Sequence, residues 1–137
     1  WRRSVYLFAK RSIRHPMLES FDAPSASASC GRRVSTIVPT QALWLLNDPF
    51  VRARARNFAE RLTIEAGPRL DDRVSQAFWL AYGRAPTARE RTASLTFLRK
   101  QATLRTPNAA APAPSHALAG ALTDFCHALY LSNEFSH

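Results

Sequence analysis

Long apolar runs and cysteines are both scarce in this 137-residue sequence. The longest uninterrupted apolar stretches are a few residues, which excludes a membrane-spanning helix. Two cysteines, Cys30 and Cys126, exclude a disulfide-framework miniprotein, and no Cys/His spacing suggests zinc or any other metal site. Lysine occurs only twice (Lys10, Lys100), so seventeen arginines carry almost all of the basic charge. The chain opens at Trp1 with no initiator Met and no signal-like segment. It is therefore expected to be a piece of a longer protein, with any export signal upstream. What is present suits one domain: 46% apolar and 21% charged residues, enough to bury a core without metal or disulfide staples.

The formal charge of +9 is uneven. Residues 1–61 hold eleven basic and four acidic side chains, and residues 62–137 hold eight and six. A basic half is the usual footprint of a nucleic-acid or anionic partner. Against nucleic acid, Tyr6, Phe8, Trp44, Phe50 and Phe58 fall largely on apolar helical faces rather than on an exposed platform between arginines.

Residues 2–14 have roughly helical apolar spacing, with enough β-branched and aromatic content to allow a strand, and Pro16 stops the element. Residues 15–38 show no periodicity and predict a long ordered loop. The spacing then predicts helices over about 39–47, 50–66, 70–82, 88–105 and 116–132. Asp48-Pro49 reads as an N-cap followed by proline at the first helical position. Gly67-Pro68 and Gly83 read as helix stops, and Thr87-Ala88-Arg89-Glu90 as a capping box. Asn133 reads as a left-handed C-terminal residue, with Phe135 folding back onto the core. Residues 106–115 read as a flexible Pro/Ala connector. The expected fold is all-α: an irregular bundle of about five to six helices forming a single domain over 1–137.

Polar chemistry concentrates in and beside the long loop: His15, Asp22, Cys30, Arg32, Arg33, Gln41, Asn47 and Asp48. Arg32 and Arg33 beside Gly31 suit a clamp on phosphate, sulfate or carboxylate. Equally, both arginines suit tying the loop to helix ends or to Asp22 and Asp48. His15, Asp22 and Cys30 invite a thiol-nucleophile reading, but no motif surrounds Cys30. Cys30 and Cys126 are open to pairing in an exported protein, whereas Cys126 beside Phe125 and Leu122 also suits a buried thiol. His116 and His127, eleven positions apart, do not have the i,i+4 spacing of a ligand pair.

Several ordered strings carry a resemblance. They are Arg2-Arg3-Ser-Val-Tyr6-Leu-Phe8 with His15-Pro16, Phe21-Asp22-Ala23-Pro24, Cys30-x-Arg32-Arg33, and the run from Ser35-Thr36 through Pro39-x-Gln41-Ala42-Leu43 to Leu45-Leu46-Asn47-Asp48-Pro49. Tyr82-Gly83-Arg84-x-Pro86-Thr87-x-x-Glu90 and Asp124-x-Cys126-His127 to Ser132-Asn133-Glu134-Phe135 complete the set. Together they resemble the planctomycete-type domain of unknown function 1553, and the chain looks like the C-terminal portion of that domain. The Ala/Ser stretch 25–29 and the connector 106–114 look like local loop variation. The resemblance implies an exported multidomain protein with an extracytoplasmic setting, an upstream haem c-type cytochrome domain, and an association with redox or polysaccharide processing. It brings no established activity. With no Cys-x-x-Cys-His, the chain itself is expected to bind no haem and no other cofactor.

These readings converge on a helical C-terminal module whose partners are the upstream domains of the same polypeptide. In this reading the 15–48 segment forms a polar junction whose groups satisfy one another, since leaving such groups buried and unpaired costs about 1–3 kcal/mol each. The alternative is enzymatic: the same segment supplies half of an active site for an anionic or glycan substrate, with Arg32 and Arg33 binding charge and Asp22 or Asp48 as acid or base.

Overall fold

The computed structural model describes residues 39–106 and 115–136, together with Tyr6, Leu18, Phe21 and Gly31. The 2–14 element, most of the 15–38 loop and connector residues 107–114 lie outside the described residues. Six helices are described: α1 (Pro39–Asn47), α2 (Pro49–Glu65), α3 (Leu70–Tyr82), α4 (Ala88–Leu104), α5 (Ser115–Tyr130) and α6 (Asn133–Ser136). No strand occurs among the described residues, and the fold is all-α as the periodicity predicts. The chain divides into two compact units, Trp1–Trp44 and Leu45–His137. In the first, the rings of Phe21 and Trp44 meet edge to face with centroids 6.3 Å apart.

The helix ends of the second unit follow from local chemistry. Asp48 holds extended backbone angles and accepts from the amides of Phe50 (2.7 Å) and Val51 (3.1 Å), so α2 starts one residue earlier than its apolar spacing suggests, at Pro49. Gly67, at φ +74°, follows the end of α2. Its carbonyl accepts from Nε of the buried Arg73 at 2.7 Å, anchoring the α2–α3 turn. Asp71 and Asp72 sit in the first turn of α3, where the helix dipole favours them. Gly83 closes α3 in the left-handed region at φ +70°, where a side chain would be strained. Thr87 and Glu90 form both halves of the predicted capping box at the start of α4.

Helix α5 is central, packing along α2 and α4 and more lightly on α3. Its buried set is Ala117, Ala121, Leu122, Phe125, Cys126 and Leu129. The stripe is wide, including alanines and Cys126 as well as the larger side chains, while Leu118 is only half-buried. Cover from two sides broadens the buried face. Opposite it lie Ala55, Ala59 and Leu62 of α2, Val74, Ala77 and Phe78 of α3, and Leu98 and Ala102 of α4. Burial of a leucine such as Leu62, Leu98 or Leu122 contributes about 1.5–3 kcal/mol. By contrast, Leu43 and Leu46 of α1 stay 59% and 48% exposed.

The C-terminus departs from expectation. Asn133 does not close α5 in a left-handed turn; it opens the short helix α6. Ser132 explains this, since its Oγ donates to the Leu129 carbonyl (2.8 Å) and accepts from the Phe135 amide (3.3 Å), so it ends one helix and begins the next. Phe135 does fold back: its ring lies 4.8 Å from that of Tyr130, which stacks on Phe58.

Candidate functional site

Of the eight residues singled out in and beside the long loop, His15, Asp22, Cys30, Arg32 and Arg33 lie outside the described residues. Gln41 lies half-buried on α1, Asn47 is the exposed last residue of that helix, and Asp48 is committed to the α2 cap. The carboxylate proposed as acid or base thus has a structural task that occupies one oxygen twice.

The densest polar cluster of the described structure lies elsewhere, at the corner where α3, α4 and α6 meet, and it is built on Arg84. Gly83 turns the chain sharply and sends the Arg84 side chain back over α3, its guanidinium carbon 5.6 Å from the Phe78 ring centre and 5.8 Å from that of Tyr82. Nη1 and Nη2 donate to the Glu90 carboxylate at 2.9 and 2.7 Å. Nε and Nη2 donate to the Glu134 carboxylate at 2.6 and 2.7 Å. The Ala85 carbonyl accepts from Nη1 at 3.1 Å. Five bonds match the five N–H groups of a guanidinium, so no donor is left for a ligand.

The surroundings extend the same pattern. Glu90 also accepts from the Thr87 amide at 2.7 Å and from its hydroxyl at 2.8 Å. The Tyr82 hydroxyl lies 2.8 Å from Ser132 Oγ and 3.2 Å from the Leu129 carbonyl oxygen. Arg84, and after it the Thr87 amide, hold the Glu90 carboxyl down to about 2. Arg84 likewise lowers Glu134, and burial raises the Tyr82 phenol. Every group is pushed toward the charge state it already has at neutral pH, the opposite of a poised general acid or base. Residue-by-residue reading left Arg84 and Glu134 unassigned. The signals were present in Tyr82-Gly83-Arg84 and Ser132-Asn133-Glu134, but nothing in linear spacing pairs residues fifty positions apart.

Two further groups are accounted for by packing. Cys126 is a free thiol with no exposed surface, pushed up by burial to about 12, which suits neither a nucleophile nor a metal ligand. Its neighbour His127 has Nε2 3.1 Å from the Leu45 carbonyl oxygen, so that nitrogen carries the proton and donates. Thr123 stands where Cys-x-x-Cys-His would need its first cysteine. With the thiol sealed in and the imidazole engaged, these residues do not fit covalent haem attachment. Among the described residues no three His, Cys, Asp or Glu side chains gather as a metal site requires, and no helix is long and apolar enough to cross a membrane.

A family model described as "Protein of unknown function (DUF1553)" matches residues 1–98. The chain belongs to the DUF1553 family. Neither the curated proteins nor the solved structures give a match. The DUF1553 match takes in Arg84 and Glu90, whereas Ser132 and Glu134 lie beyond it. The Arg84 corner therefore joins the matched part of the chain to the C-terminal helices that follow.

Proposed function

We propose that this DUF1553 chain is a structural and interaction module, a rigid helical body that packs against the rest of a longer exported polypeptide. The observation that carries this reading is the complete engagement of Arg84: the densest charged cluster holds α3, α4 and α6 to one another instead of opening onto a ligand. The family resemblance supports an extracytoplasmic setting and a role beside redox or polysaccharide-processing domains, with any haem carried upstream.

The test compares the longer polypeptide with and without these 137 residues, following its melting, haem content, and turnover of glycan and sulfated glycan. The module reading expects lower stability without the segment, and unchanged turnover per folded molecule when Arg32 or Arg33 is replaced by alanine. Loss of turnover in a still-folded Arg32→Ala protein overturns it in favour of an active site. A steep salt-dependent affinity for nucleic acid overturns it in favour of a basic binding surface.

A further inference from the structure

Where Arg84 has no donor left, two other arginines do. Arg52, exposed on α2, makes no side-chain hydrogen bond or ion pair among the described residues. Arg105, the C-cap of α4, gives one Nη2 proton to Asp124 and has no other side-chain partner among the described residues. Both border one open groove of about 780 Å³ between α2 and α5. Arg105 reaches it by passing over Gly120. A Cβ at position 120 would stand 3.2 Å from Arg105 Cδ, Nε and Nη1 alike, so the side chain lies close along α5 and an added methyl would make it shift by a few tenths of an ångström.

The charge around the groove is not balanced. Three arginines, Arg52, Arg56 and Arg105, face two carboxylates. Both carboxylates are taken: Glu60 by Arg56 at 3.2 Å, Asp124 by Arg105. Between these rims the side chains are small, with Thr63, Ala119 and Thr123 along the helices over the buried Ala59, and Ile64, 83% exposed, stands at one end. Along α2 the lining runs from Arg52 to Ile64, about 18 Å at the helical rise. That is too long for a single small carboxylate and suits about three turns of helix. No Phe, Tyr or Trp lines it among the described residues, so a base or sugar ring has no face to stack on.

We propose that this groove docks an acidic amphipathic peptide segment of a partner, its carboxylates on Arg52 and Arg105 and its apolar side chains on Ala119 and Ile64. The proposal rests on the interaction-module reading and names the surface and the partner's chemistry. The chain's own connector, residues 107–114, carries no carboxylate, so it cannot supply the complementary charge.

The test titrates the whole 137-residue chain against a dye-labelled peptide of about twelve residues, Glu-Leu-Leu-Glu repeated three times, by fluorescence anisotropy. The expected result is saturable binding that weakens as salt rises from about 0.05 to about 0.5 M. Arg52→Glu and Arg105→Glu should each weaken it by about tenfold or more, and a peptide with Gln for Glu should not bind. Arg84→Ala, at a temperature where it is folded, should bind as the parent does. Should a charge reversal fail to fold, Arg52→Gln removes the cation without adding an anion and should still weaken binding. No binding by the folded chain, equal binding by the Gln peptide, or no loss in folded Arg52 and Arg105 variants overturns the proposal. So does tighter, Arg52-dependent binding of phosphatidylglycerol vesicles or a single-stranded oligonucleotide. Failure of peptide binding leaves the module reading standing, since that reading is tested by removing the segment from the longer polypeptide, whereas oligonucleotide binding counts against both.

Discussion

The Arg84 corner and the α2–α5 groove use the same side chain to opposite ends. At the corner, one guanidinium meets two carboxylates and a carbonyl, and all five N–H groups are engaged. At the groove, Arg105 has one partner and Arg52 none among the described residues. The difference arises from the backbone around each residue. Arg84 follows a left-handed glycine that folds it onto two aromatic rings between Glu90 and Glu134. Arg52 stands on the exposed side of the first turn of α2, where Asp48, four residues before it, caps the helix by accepting from the Phe50 and Val51 amides, and the residue four after it is another arginine, Arg56. An arginine count or a net charge cannot tell these cases apart; donor satisfaction can. An isolated surface pair contributes little, so the corner's strength lies in its fork geometry and shared partners.

The sharpest blow to both regions at once is Leu122→Ala. Leu122 is fully buried on α5, and its truncation should cost about 2–5 kcal/mol in chemical denaturation. Groove affinity and corner order should fall together; if only one falls, the two regions do not share α5 as their support. Arg84→Ala should lower the melting temperature by less than that and leave peptide affinity at the groove intact. Arg84→Lys should not restore the loss, because an ammonium cannot serve two forks and a carbonyl at once. Coupling between Arg84→Ala and Glu134→Gln in a double-mutant cycle should be plainly non-additive.

Acid should act on the corner selectively. Glu90 titrates at about 2 when folded against an ordinary 4.5, so its contribution is present above about pH 4.5 and is lost as pH falls toward 2. Glu134, also lowered, adds loss of the same sign. Stability measured across that window should decline more steeply in the parent than in Arg84→Ala; equal slopes would detach the corner from the acid response. The smallest effect is expected of Gly120→Ala. Helix propensity should raise stability by up to about 1 kcal/mol, while the added methyl lifts Arg105 from its place and weakens peptide binding several-fold. A stabilised chain with undiminished affinity would show that Arg105 does not need its seat on Gly120.

Local chemistry was well represented in linear order. The Asp48 cap, the Thr87–Glu90 capping box, the Gly83 stop and the Arg56–Glu60 pair each involve residues at most four apart, and each forms as spacing suggests. The α6 helix was missed because Ser132 serves both the end of α5 and the next start, and one hydroxyl shared between two helix ends leaves no distinctive pattern. Of the candidate polar junction, Asp48 resolved into a helix cap, and the arginines that matter most among the described residues were on other elements.

Helix type, approximate limits and caps are properties of neighbouring residues, so the amino-acid order alone determined them through the backbone's own hydrogen-bonding rules. Which arginine is saturated and which is open was decided only when α5 packed between α2 and α4. That packing brought Glu134 to Arg84 across fifty positions and set Gly120 beneath Arg105. Distances of this kind depend on the burial of a shared core, which no local pattern encodes.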